Sequence, residues 1–293
     1  MKSDRKTTFT ITVFICVLWS CTILFGCKKA KQTPTKGYGI VSFTIEWDSL
    51  LMPDIKAENL RFCFYPSGSE AMIQTESDSG KLRMALPSDV YRLLVYNCGD
   101  RHIQLRRNDF NRVEAFLPFY KSEEAVVSPV APLYGAVLNS LVVDPNQDIS
   151  MTLTPVLFTK CVRLKVYVKE AKLFSDCSLL LSGIPPLMYL SDRKLSMENS
   201  LALPIPLEKT DFGFEGVTYI LDGEPDGKPG SASANQFLFQ FFLADGREIA
   251  SSLYIETALW DKEKQDLLFE VEASLAQTPE GGISLTCKET EMK

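Results

Sequence analysis

From residue 41 onward the chain is written largely in period two. Val41, Phe43, Ile45 and Trp47 fall on one face of an extended segment while Ser42, Thr44 and Glu46 fall on the other, the pattern of a half-buried strand. Leu60, Phe62 and Phe64 repeat it until Pro66-Ser67-Gly68, and Leu82, Met84 and Leu86 repeat it again until Pro87-Ser88-Asp89. Each stop is rich in turn-forming residues. The run Val90-Tyr91-Arg92-Leu93-Leu94-Val95-Tyr96-Asn97 is apolar on both faces, which predicts a strand in the middle of a sandwich. Residues 108–146, with Pro129 and Pro132 inside them, read as a long irregular excursion holding at most short strands, and Pro145-Asn146 punctuates its end. Ile149, Met151 and Leu153 then alternate again, and Pro155 marks the crossing to a second half.

That second half opens with Val162, Leu164, Val166 and Val168 on one face against Arg163, Lys165, Tyr167 and Lys169 on the other. Ser178 to Leu181 continues until Gly183 and Pro185-Pro186, and further strands are predicted at Phe212–Ile220, Gln236–Leu243, Leu268–Val271 and Ile283–Leu285. Asp245-Gly246 between two such runs is a hairpin signal. A short helix fits Leu259–Gln265, but no long stripe of period 3.6 exists anywhere, so the expected body is all-β.

The first 26 residues follow other rules. Lys2, Arg5 and Lys6 stand against the single acid Asp4, and Thr7–Gly26 is uncharged, the layout of a signal peptide. The stretch is also about as long as a membrane span, so an uncleaved signal anchor is the alternative. Leu24-Phe25-Gly26-Cys27 resembles the bacterial lipobox, which implies cleavage before Cys27 and a lipid on its sulfur. Leu18-Trp19-Ser20-Cys21 offers a weaker version, since cleavage there would leave apolar Thr22–Phe25 on the mature chain. Residues 27–37, with Lys28, Lys29, Lys31 and Lys36, form a polar lipidated tether. Those lysines either contact anionic head groups, each worth on the order of 1 kcal/mol, or are simply solvated. The expected division is 1–26 signal peptide, 27–37 tether, 38–155 first β-sandwich domain and 156–293 second.

Composition excludes more than it assigns. The 293 residues are 45% hydrophobic and 23% charged with a net charge of −6, ordinary for a globular chain. Loss of residues 1–26 moves the charge to −8, and an acidic body argues against nucleic acid as a partner. Eight cysteines become five beyond the lipobox: Cys63, Cys98, Cys161, Cys177 and Cys287. None has metal-site spacing. They read as small apolar fillers, with Cys63–Cys98 and Cys161–Cys177 as the candidate bridges of an oxidising compartment.

His102 is the sole histidine, so no His-based triad or multi-histidine metal site can be built, and it reads as a surface residue at a strand start. There is no phosphate loop, no Gly-x-Ser-x-Gly elbow and no two-cysteine zinc half-site. No enzyme, cofactor or metal is therefore expected. Asp222-Gly223-Glu224-Pro225-Asp226-Gly227 has the alternating acids of a calcium loop without its distal glutamate, and reads as an acidic surface loop. Trp47 belongs to the core face, while Trp260 alone does not make a sugar site.

The lipobox, Ile45-Glu46-Trp47, Phe62-Cys63-Phe64-Tyr65-Pro66 with Gly68, and Leu86-Pro87-Ser88-Asp89-Val90-Tyr91-Arg92-Leu93-Leu94-Val95-Tyr96-Asn97 together resemble the fimbrillin-like lipoproteins of Bacteroidales. That family includes the anchor and accessory subunits of type V pili and related lipoproteins. The resemblance covers residues 38–100 well and extends loosely through Thr154-Pro155, Val162–Val168 and Leu181-Ser182-Gly183. It implies two tandem transthyretin-like β-sandwich domains, lipid attachment to the outer membrane, and fimbrial partners bound by β-strand addition or exchange. No residue would be catalytic, and Tyr91 and Tyr96 would be structural. Ser88-Asp89 stands where the family more usually has a glycine, and Lys28-Lys29 stands where surface-exported lipoproteins often carry acids. The expected placement is the outer membrane, on the cell surface. A surface lipoprotein that binds glycan or a host ligand is the competing function. Exposed aromatics at loop tips would favour it, whereas an open apolar groove along a sheet edge would favour the fimbrial role.

Overall fold

The computed structural model describes residues 37–293 except 48–58, 69–70, 99–103, 107–108, 118, 121–124, 127–129, 197, 199, 226–234, 256–258, 260–263, 278–282 and 290–293. The predicted signal peptide, Cys27, the predicted tether up to residue 36, His102 and Trp260 lie outside the described residues, as do most of the predicted short helix and the end of the acidic loop.

Residues 38–293 form one compact unit. The first strands are β1 (Tyr38–Ile45), β2 (Leu60–Pro66), β3 (Ile73–Ser77), β4 (Lys81–Pro87) and β5 (Asp89–Asn97). Short pieces follow: β6 (Gln104–Arg106), β7 (Glu114–Phe116), β8 (Phe119–Tyr120) and β9 (Ala125–Val126). Then come β10 (Tyr134–Val143), β11 (Asp148–Leu153) and β12 (Val156–Leu157). Two sheets, ordered β11-β1-β4 and β12-β10-β5-β2-β3, face each other. Between them Val41, Phe43, Ile45, Phe62, Phe64, Tyr91 and Leu93 are buried, and the ring of Phe43 lies 6.0 Å from those of both Phe62 and Phe64. Alternation thus does what period two requires, sending every second side chain inward.

The reading of 108–146 as irregular holds only for its first part. Residues 134–143 form the long strand β10, paired with β5 from Gly135↔Tyr96 to Val143↔Asp89. Its alternation is hidden because the register slips between Leu138 and Leu141, where exposed Asn139-Ser140 sits; an unpaired bulge inverts the apolar phase. Gly135 adds to the disguise. A Cβ there would lie 1.9 Å from the Val95 carbonyl oxygen, so only glycine allows the two backbones to meet.

The second half contains β13 (Thr159–Val168), β14 (Phe174–Ile184), β15 (Leu187–Tyr189), β16 (Lys194–Ser196), β17 (Leu201–Pro204), β18 (Leu207–Thr210), β19 (Gly213–Leu221) and β20 (Glu224–Pro225). It ends with β21 (Gln236–Leu243), β22 (Glu248–Tyr254), β23 (Asp266–Gln277) and β24 (Ile283–Glu289). The predicted hairpin is present: Gly246 has φ 87°, the Leu243 N–H donates to the Arg247 carbonyl at 2.8 Å, and the Asp245 carboxylate accepts from the Arg247 N–H at 3.1 Å. The two halves repeat one topology. In the first, β1 lies between parallel β11 and antiparallel β4, opposite a sheet that runs β10-β5-β2-β3. In the second, β13 lies between parallel β23 and antiparallel β19, opposite a sheet that runs β22-β21-β14-β17.

The excursion ties these halves together. β7 pairs with β6 on one side and β15 on the other, while β9 joins β17. Tyr65, Leu94 and Tyr96, on the face of β2 and β5 turned away from the first core, join Phe110, Val113 and Leu117 in one buried cluster with the interior of the second sandwich. This accounts for the doubly apolar β5, which has a core on each side.

Candidate subunit-docking edge

A sheet edge exposes unpaired backbone donors and acceptors, which are either covered, guarded by charge or proline, or offered to another chain. The internal repeat makes the edges of the two sandwiches comparable. In the second, β24 pairs antiparallel with β23, from Val271↔Glu289 to Gln277↔Ile283, and packs against β22 as well. It fills the slot between the last two strands of the repeat.

The equivalent slot in the first sandwich lies between β10 and β11. Among the described residues no strand pairs with the outer side of β11, and β12 covers only the Tyr134–Gly135 end of β10. The lip of this slot is apolar: Ile149, Met151 and Leu138 are half-buried and packed against the core. β11 has little protection. Its single charge, Asp148, is engaged by Arg83 at 3.0 Å, and it carries neither lysine nor proline. Two other edges are better guarded, by Gln74 and Glu76 on β3 and by Glu208 and Lys209 on β18. Glu76 is further pinned by Arg61, whose Nε donates to it at 2.8 Å. Sequence alternation revealed β11, but its openness depends on the topology.

The residues singled out in the sequence sort into structural roles. Tyr91 is fully buried and its hydroxyl donates to the Pro87 carbonyl at 2.8 Å, staking down the Ser88-Asp89 turn. Asp89 does its share through its own carboxylate, which accepts from Ser67 Oγ and from the Val90 N–H, both at 2.7 Å. Tyr96 packs in the shared core. Trp47 is half-buried against the first core, edge-on to Tyr134 at 5.7 Å.

Cys63, Cys98, Cys161 and Cys177 carry thiols and no disulfide, so neither candidate bridge forms. Cys63 is enclosed in the core, whereas the Cys98 thiol donates to the Asn59 carbonyl at 3.0 Å. Burial, then the charge of Asp266, pushes the Cys161 thiol up to about 11. The side chain of Cys287 lies outside the described residues.

Asp222 departs from the surface-loop reading. It is largely buried and accepts from Arg193 at 2.7 Å, and it lies 3.4 Å from the ammonium of Lys160. Lys160 is 1% exposed and also donates to the Leu259 carbonyl at 3.2 Å. The carboxylate is thus consumed by cations, and no cluster of potential metal ligands occurs among the described residues. No signal in the sequence pairs Lys160 with Asp222, since the register of β13 and β19 brings them together across 62 positions.

No family model matches the sequence, and no curated protein matches it. Solved structures do. A candidate adhesin from Bacteroides ovatus superposes with a TM-score of 0.61 at 15% identity, over 86% of this chain and 94% of that one. A candidate polysaccharide-binding protein from Bacteroides thetaiotaomicron gives 0.57 at 8% identity, over 86% and 98%. The fimbrial anchor protein Mfa2 from Porphyromonas gingivalis gives 0.53 at 12% identity, over 86% and 97%. The chain therefore has the fold of these Bacteroidales proteins, in agreement with the resemblance carried by its motifs between Ile45 and Asn97.

Proposed function

We propose that this chain is a fimbrial anchor or accessory subunit without enzymatic activity, lipidated at Cys27, held at the outer membrane and placed on the cell surface, which binds a neighbouring subunit by β-strand addition. The observation that carries the reading is the open slot between β10 and β11, at the position that β24 fills in the repeated sandwich. Likeness in fold to an anchor protein along 86% of the chain supports it. An incoming strand with apolar residues at every second position would complete the backbone ladder of β11 and cover Ile149 and Met151. Met151→Asp tests this: with folding of the variant checked by circular dichroism and its urea midpoint, a charge on the lip is expected to abolish co-purification of other fimbrial subunits after gentle detergent extraction. Undiminished co-purification from cells making the variant would refute the site. Transporter components in place of fimbrial subunits would refute the role.

A second reading, glycan capture, has its own observation. At the tip of the β18–β19 hairpin, Phe212 packs 5.1 Å from Tyr167, beside a depression of about 520 Å³ that Lys169, Glu272 and Ser274 also line. Half-exposed rings beside a carboxylate and a hydroxyl suit a sugar face and its diols. Binding on a glycan array that Tyr167→Ala removes would favour this reading.

A further inference from the structure

We propose that the outer face of the β22-β21-β14-β17 sheet joins two copies of this chain, with the strands of one copy reversed over their own counterparts in the other. The inference is independent of the slot between β10 and β11, which lies in the first sandwich. Register defines the face. Across it run the rows Pro204–Leu180–Leu238–Ser252 and Ser178–Gln240–Ala250, while the alternate residues Leu179, Leu181, Phe237, Phe239 and Leu203 enter the core. The row Ser182–Gln236–Tyr254 ends the face on one side and the row Asp176–Phe242–Glu248 ends it on the other. The face is open, since Ser178, Gln240, Ala250 and Ser252 are exposed and Tyr254 is 65% exposed. The only charges in these rows are Asp176 and Glu248, both at one end. The outer face of β19-β13-β23 is instead dense in charge, with Arg163, Lys165, Glu215, Asp266, Glu270 and Glu272.

Side-chain chemistry selects a second copy as the occupant. A net charge of −6 opposes association of the chain with itself, so a self-contact needs a face whose centre lacks charge, as interface centres do. Serine hydroxyls and glutamine amides each donate and accept. Ser178, Ser252, Gln236 and Gln240 can therefore pair with their own kind, and the adjacent, half-buried Leu180 and Leu238 supply apolar area between them. Charge sets the direction. With a two-fold axis across the strands, the acidic row of one copy lies over the Tyr254 row of the other, which keeps the carboxylates of the two copies apart. The Tyr254 phenol then meets Glu248 of the second copy, a donor against a charged acceptor. Within one copy that carboxylate is already held at the face, accepting from Gln240 Nε2 at 2.9 Å. Area sets the strength. Four strands about 4.8 Å apart and seven residues rising about 3.4 Å each give roughly 450 Å² per copy. The pair comes close to the ~1,000 Å² that a specific contact needs, which makes the dimer weak and reversible. Two such sheets pack about 10 Å apart at an angle of roughly 30°.

The test is sedimentation equilibrium of the full chain in density-matched detergent, where a reversible dimer is expected with a dissociation constant on the order of 50 µM. Exposed Ala250 lies beside the axis, so its two copies come close together. Ala250→Lys and Ala250→Glu are each expected to weaken the dimer about tenfold or more through like charge, and an equimolar mixture of the two is expected to restore it. Restoration also shows that both variants are folded. A chain that stays monomeric up to ~1 mM overturns the proposal. Variants that dimerise as tightly as the parent overturn it too, as does a mixture that binds no more tightly than its components. A monomer retained on an insoluble glucan, and released by Tyr254→Ala, assigns the face to sugar and likewise overturns it.

Discussion

At the scale of single residues, burial decides which polar contacts matter. Asp222 is gripped by two cations, but Lys160 has a side chain only 2% exposed and that of Arg193 is 35% exposed. Removing the carboxylate takes the Asp222 counter-charge from an enclosed ammonium that also donates to the Leu259 carbonyl. Asp222→Ala is therefore expected to cost about 3 kcal/mol, and Arg193→Ala about 1 kcal/mol; urea denaturation of the two variants measures both. Cys161 makes a prediction of opposite kind. Its thiol is raised from the ordinary 9.0 to about 11 by burial first and Asp266 second, so the folded state favours the neutral form. The stabilisation is complete below about pH 9 and is lost as pH rises through about 11. At pH 8 iodoacetamide should leave Cys161 unmodified in the folded chain and modify it in urea, as read by peptide mass spectrometry.

At the scale of elements, the strands that were legible in the sequence are those whose environment matches a simple period. β1 shows strict alternation because one face meets a core and the other water. β5 shows none because Leu93 and Val95 enter one core while Leu94 and Tyr96 enter another. β10 was illegible for two local reasons, the bulge before Leu141 and the closeness of Gly135 to Val95. The second reason is testable: Gly135→Ala places a methyl group against backbone that cannot move without breaking the β5 pairing. It is expected to destabilise by about 3 kcal/mol or more, visible as a lowered urea midpoint. Openness of the β10–β11 slot lay beyond any reading of β11 alone. Asp148-Ile149-Ser150-Met151-Thr152-Leu153 alternates like other strands here, and only comparison with β23 and β24 shows that, among the described residues, no strand takes the equivalent place.

At the scale of the whole molecule, the excursion changes what the repeat can do. Two sandwiches joined by a bare linker would melt separately. Here Phe110, Val113 and Leu117 connect the outer face of one sandwich to the interior of the other through a continuous buried cluster. Cooperativity follows contiguous burial, so scanning calorimetry should record one transition for residues 38–293. Two resolved transitions would show that the shared cluster does not couple the halves. Such coupling suits an anchor, since force applied at an added strand would pass through one body to the tether.

The measurement that bears most directly on the central claim is photocrosslinking from Ile149 in living cells, followed by mass spectrometry of the joined peptides. The account predicts crosslinks to a single alternating strand of another fimbrial subunit, with no crosslinks from a control crosslinker at Leu268 on the second sandwich. Crosslinks from Ile149 to residues of the same chain would show the slot to be already filled, and the strand-addition role would be wrong.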